Sequence, residues 1–131
     1  MSHLLLSVII AVLFLHHGDA GRYEENLTLM NGTVVEMQFL NPHSIIVLDV
    51  QDSAGKTVRW RAEMGAANNL VRQFAWKKDT LKSGDKITII GRRVKGGSPY
   101  FNLTEMAKVI LTDSGKEIFR TPNALPGLAL H

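Results

Sequence analysis

Cysteine is absent from the 131 residues. That excludes a disulfide scaffold, a thiolate metal centre and a lipid-anchoring thiol. Proline is sparse, at 4 against 11 glycines, while 45% of residues are hydrophobic and 21% charged. Such a balance excludes collagen-like and disordered chains and fits one ordinary globular domain. Long apolar runs are lacking too, apart from residues 4–15 (LLLSVIIAVLFL). As a helix this run would span roughly 18 Å, short of the roughly 30 Å hydrocarbon core of a bilayer.

The run is followed by His16-His17-Gly18-Asp19-Ala20, whose small residues Gly18 and Ala20 suit a secretory cleavage site before Gly21. We therefore expect residues 1–20 to be a cleaved signal peptide. The chain would then be periplasmic or secreted in a bacterium, with no stable membrane span after cleavage. An uncleaved amino-terminal anchor is the alternative, because Met1-Ser2-His3 carries no Lys or Arg. Cleavage removes Asp19 and three of the five histidines, leaving His43 as the one interior imidazole. Residues 21–120 are expected to form the folded domain, and 121–131, aperiodic with two prolines, a flexible tail.

Within 21–120 the patterning is mainly β. Residues 27–39 read as a long strand broken at Asn31-Gly32, with Val35, Met37 and Phe39 on its apolar face. Residues 44–50 and 57–64 alternate around the turn residues Asp52-Ser53-Ala54-Gly55. Ala67, Leu70, Val71 and Phe74 follow at helical spacing. Strands are then expected at 86–94, bent at Gly91, and at 100–111, with Asp113-Ser114-Gly115 turning a short hairpin extension. A long bent first strand and one helix between the third and fourth strands predict a small five-stranded OB-like Greek-key barrel. Pairing Val50 with Val58 keeps the core faces together and places Leu48 opposite Trp60, Asp49 opposite Arg59 and Ile45 opposite Glu63. Trp60, Leu48, Val35, Ile87 and Ile89 should then share one core, closed by Leu70 and Phe74.

Asn41-Pro42-His43, Glu63-Met64-Gly65-Ala66-Ala67-Asn68-Asn69-Leu70, Trp76, Leu81, Gly84-Asp85, Gly91 and Gly97-Ser98 occur in that order. Together these motifs resemble a bacterial family of small exported proteins, domain of unknown function 6152, over about residues 32–118. The family pattern has Gly before the tryptophan, where this chain has Ala75, and often an acidic residue where it has Gly96. The resemblance implies bacterial export and an unassigned activity, and supplies no catalytic residues.

OB-folds bind ligands on the outer face of their second and third strands, framed by two loops. Here that frame predicts a shallow polar site of Asn41, His43, Glu63, Asn68 and Asn69, with Gly97 and Ser98 across it. The competing reading gives these residues turn and helix-capping roles. No nucleophile motif, close carboxylate pair or second interior histidine supports catalysis, so a non-enzymatic binding or accessory module is expected, without a cofactor. Its partner would be a small molecule or an envelope protein. The alternative is zinc or copper handling at His43 and Glu63. The isoelectric point near 9.4 suggests nucleic acid, but Trp60 is assigned to the core and Tyr100 is the sole nearby stacking platform. No nucleic-acid partner is expected.

Overall fold

A computed structural model describes residues 21–124. The predicted leader and the last seven residues lie outside the described residues. The elements are β1 (Thr28–Gln38), β2 (Ile45–Gln51), β3 (Thr57–Glu63), α1 (Ala67–Phe74), β4 (Lys86–Arg93), β5 (Tyr100–Asn102), β6 (Lys108–Leu111) and β7 (Glu117–Arg120). The sheet runs β1-β2-β3-β5-β4-β6-β7, and an added β1–β4 pairing closes β1, β2, β3, β5 and β4 into a five-stranded barrel. This is the OB-like architecture with its single short helix between β3 and β4. Among the described residues no helix is long and apolar enough to cross a membrane.

Closure depends on β1 serving two partners. Its first half, from Thr28 to Thr33, pairs with β4, and its second half, from Thr33 to Gln38, pairs with β2. The strand must turn sharply between them, and Gly32 sits at the turn. A Cβ there would lie 2.8 Å from Leu48 Cδ1 and 2.9 Å from the carbonyl of Asp49, so only glycine lets β1 approach β2 this closely. A bulge between Val34 and Glu36 adds to the bend. It also inverts the facing of the strand. Met30 and Val34 are buried before it, and Met37 and Phe39 pack on the core after it. The inward valine is therefore Val34, 1% exposed, and not Val35. Unbroken alternation assigns the wrong member of the pair because the extra bulge residue shifts the parity.

The β2–β3 ladder has the expected register throughout, including Leu48↔Trp60 and Ile45↔Glu63. The last long strand does not run unbroken. It splits into β5 and β6, both alongside β4, where Asn102 pairs with Arg92 and Lys108 with Ile90. The excursion between them carries Met106 at φ 52° and is tied by Thr104 N–H donating to Asn102 Oδ1 at 2.9 Å. Gly91 faces this excursion, and a Cβ there would collide with the carbonyl of Asn102. The bend at Gly91 and the break in the opposite strand are thus one feature.

The core is Ile46, Leu48, Trp60, Met64, Leu70, Ile87, Ile89, Phe101, Leu103 and Val109 with smaller neighbours. Trp76 is 2% exposed and its indole N–H donates to the carbonyl of Ile118 at 2.8 Å, fastening the β6–β7 hairpin to the end of the helix. Beyond β7 the chain stays attached. Thr121 N–H donates to the carbonyl of Ala107, the Thr121 hydroxyl accepts from Ala107 N–H, and Asn123 Oδ1 accepts from Met106 N–H. Ala124 is 8% exposed.

Candidate functional site

Registering β1, β2, β3 and β5 side by side lays three rows across the outer surface of the barrel. Thr33, Asp49 and Arg59 form one, Glu36, Val47, Arg61 and Tyr100 the next, and Gln38, Ile45, Glu63 and Asn102 the third. Val47 and Ile45 lie mid-row, each flanked on both sides by longer polar residues, and both are buried. Above this apolar floor the polar groups are linked. Arg59 holds Asp49 through two hydrogen bonds, 3.0 Å from Nε and 3.2 Å from a terminal nitrogen. Arg61 donates to Gln38 at 3.4 Å, and Gln38 donates to Glu36 at 3.4 Å.

His43 stands at the end of the third row. Its Nδ1 lies 3.5 Å from Glu63 Oε1, with the imidazole 56% exposed and the carboxylate 20% exposed. On the other side of Glu63 is Tyr100, whose phenol donates to the same carboxylate. The phenol's pKa is pushed up to about 12. Partial burial is the largest cause, the charge and hydrogen bond of Glu63 come next, and the nearby Tyr23 adds to them. The Arg22 guanidinium opposes the shift. Glu63 thus links an exposed imidazole to a phenol that stays neutral at ordinary pH.

The first loop supplies both His43 and Asn41, and it does different things with each. Asn41 Oδ1 accepts from the backbone N–H of Asn68 at 3.1 Å. The helix's own N-cap residue, Ala66, has no side chain able to do this. Asn41 therefore satisfies one of the helix's free amides from across the loop. Asn69 accepts from Arg72 at 2.7 Å. Asn41, Asn68 and Asn69 are brought to the start of α1, and the hydrogen bonds they make serve the helix. Ser44, fully buried, closes the loop by donating to the carbonyl of Leu40.

The second loop meets the face at a different level. Gly96 and Gly97 take φ of 93° and 85°, the left-handed region that glycine tolerates. The Pro99 carbonyl accepts from Arg61 N–H at 3.1 Å, and the Ser98 carbonyl accepts from Tyr100 N–H at 2.8 Å. Because β3 and β5 are parallel with Arg61 opposite Tyr100, Gly97 and Ser98 sit beside Arg61 and the residues before it. Tyr100 is what carries this loop to Glu63. Reading the residues missed Tyr100 as a site member, because the β3–β5 pairing that aims it at Glu63 is parallel and far apart in sequence. A third segment, also missed, crosses the same region. Tyr23 bridges Val94, the carbonyl of Arg22 accepts from Lys95 N–H, and the Arg22 guanidinium lies 5.7 Å from the Tyr23 ring and 6.0 Å from the Tyr100 ring.

His43 and Glu63 offer two donors to a metal, and among the described residues no three His, Cys, Asp or Glu side chains gather into a ligand set. A half-open cleft of about 160 Å³ lies elsewhere, between α1 and the end of β7, lined by Leu70, Phe74, Leu103 and Phe119.

Fold and surface together define a closed five-stranded β-barrel with one polar, loop-framed outer face. The chain belongs to the family of unknown function DUF6152, whose model matches residues 5–100. The match takes in β1 to β4, both loops and Tyr100, and so every residue of the candidate face except Asn102. No curated protein matches the chain.

Proposed function

We propose that this protein is a non-enzymatic binding or accessory module of the bacterial periplasm or cell exterior, whose ligand docks on the outer β2–β3 face. The observation that carries this reading is the cluster of polar groups there, His43 and Arg61 exposed and Glu63, Tyr100 and Gln38 half-buried, laid over the buried Ile45 and Val47 between two loops. Hydrogen-bonding groups fixed on rigid strands can recognise a ligand without rearrangement. The metal-handling alternative has only the His43–Glu63 pair behind it, which falls short of the three or four ligands of zinc sites.

The test is photocrosslinking in bacterial cells exporting the full chain, with a benzophenone amino acid at Gln38 on the face or at Lys116 on the far hairpin. Adducts with an envelope component are expected from position 38 and not from 116. No adduct from 38, or equal adducts from both, overturns the proposal.

A further inference from the structure

We propose that the part of this face nearest the Arg22 segment binds an anionic polysaccharide, through Arg22, Arg61 and Lys95. This rests on the reading of the outer face given above and names its ligand class. The cations elsewhere on the strands are largely neutralised in place: Arg59 by Asp49, Arg92 by Glu105, and Arg120 and Lys108 by Glu117. Arg22, Arg61 and Lys95 are exposed and, among the described residues, have no carboxylate partner. Their backbone positions adjoin: Lys95 N–H is bonded to the Arg22 carbonyl, the Arg22 guanidinium lies over Tyr100, and Tyr100 is the cross-strand neighbour of Arg61.

One of the three cations is held in position, Arg22 over two tyrosine rings. Arg61 reaches across β2 to Gln38 on β1 through one exposed bond of 3.4 Å, which an anionic ligand can replace. A fixed guanidinium presents paired N–H donors that match a carboxylate or phosphate group on a sugar. The three sit on an open sheet surface and loop, which suits an extended chain lying across it more than a small molecule needing enclosure. Glu63 bounds the patch on the His43 side and Glu36, beside Gln38, bounds it on the β1 side, so the chain would cross from Arg61 on β3 over β5 to the Arg22 segment. Nucleic acid is the other polyanion to consider. It draws affinity from bases stacked on free aromatic faces, and here Arg22 already lies over both tyrosines.

The test is titration calorimetry of the purified chain with polygalacturonate, against oligothymidylate and uncharged dextran, at low and high salt. Three proteins are compared: the parent, the Arg22→Gln/Arg61→Gln variant, and a Lys77→Gln/Lys78→Gln variant carrying the same charge change away from the face. Thermal melting of each verifies folding, and the single Arg61→Gln variant serves if the double one melts early. Salt-sensitive binding of polygalacturonate is expected, weakened about tenfold or more by the arginine changes and little by the lysine changes. Equal loss in both variants, tighter binding of oligothymidylate, or no binding of polygalacturonate by the parent overturns the proposal. If crosslinking from Gln38 persists when polygalacturonate fails, the ligand class falls and the face stands; if that crosslinking is absent, the face itself falls.

Discussion

Trp60 lies directly opposite Leu48 across the β2–β3 ladder, and its ring meets Phe101 edge-on at a centroid distance of 6.5 Å. The Arg93 guanidinium covers the indole at 5.0 Å, and Arg93 Nε is buried without a hydrogen-bond partner. Removing the indole would open a cavity and strip that guanidinium of its main contact. Trp60→Ala should therefore lower stability by about 3–5 kcal/mol. Urea denaturation followed by circular dichroism measures it, and a loss below about 1 kcal/mol would contradict the packing described.

The β2–β3 register was readable because a hairpin leaves few choices. Once Val50 pairs Val58, an opposite-charge pair at Asp49 and Arg59 comes with it, and any odd shift would turn Leu48 and Trp60 outward. His43 beside Glu63 follows from the same count. What could not be read was every feature depending on a residue out of step or a distant partner. The bulge at Val34 to Glu36 changes which valine is inside without changing composition. The turn between β5 and β6 is signalled only by Asn102 and Thr104 in an otherwise strand-like run. Tyr100 meets Glu63 through a parallel pairing set by barrel closure, which leaves no local pattern. That Asn41 accepts from the Asn68 N–H, and for what purpose, depends on the helix needing a cap that Ala66 lacks.

Ala75 ends the helix in the left-handed conformation, φ 57° and ψ 30°, while its N–H and that of Trp76 reach back to the carbonyls of Val71 and Leu70. A side chain at such a position costs roughly 1–2 kcal/mol in backbone strain. Ala75→Gly relieves it and returns part of the gain as unfolded-chain entropy. A net stabilisation of about 0.5–1 kcal/mol is expected, read as a higher melting temperature with the fold unchanged. A lower melting temperature would count against this terminus geometry.

Tyr100 should titrate well above an ordinary tyrosine, at about 12 against 10.0. Its raised pKa means the folded state holds the phenolic proton where the unfolded state has released it. The associated stabilisation is complete below pH 10 and declines as pH rises from about 10 to about 12. Ultraviolet difference titration resolves the ionisation of tyrosine. Glu63→Gln removes the carboxylate charge and leaves burial in place, so the Tyr100 pKa should fall without returning fully to 10.0. A titration unmoved by Glu63→Gln would break the link between these two groups.

Asn41 makes the last test, because it separates a ligand-binding asparagine from a structural one. Its side-chain oxygen is the acceptor for Asn68 N–H at 3.1 Å. The helix it serves is eight residues long, with no acidic residue in its first turn and no side-chain cap of its own. Replacing a capping side chain by alanine costs about 1 kcal/mol in comparable settings. Asn41→Ala should lose about that much, and hydrogen exchange at Asn68 and Asn69 should quicken as the first turn frays. Asn41→Asp keeps an oxygen at the same reach and adds a negative charge at the helix start, where the backbone dipoles favour it. It should retain most or all of the parent stability. If the alanine variant melts with the parent and its amide exchange is unchanged, Asn41 does not cap the helix, and its oxygen is free to serve a ligand on the face beside His43.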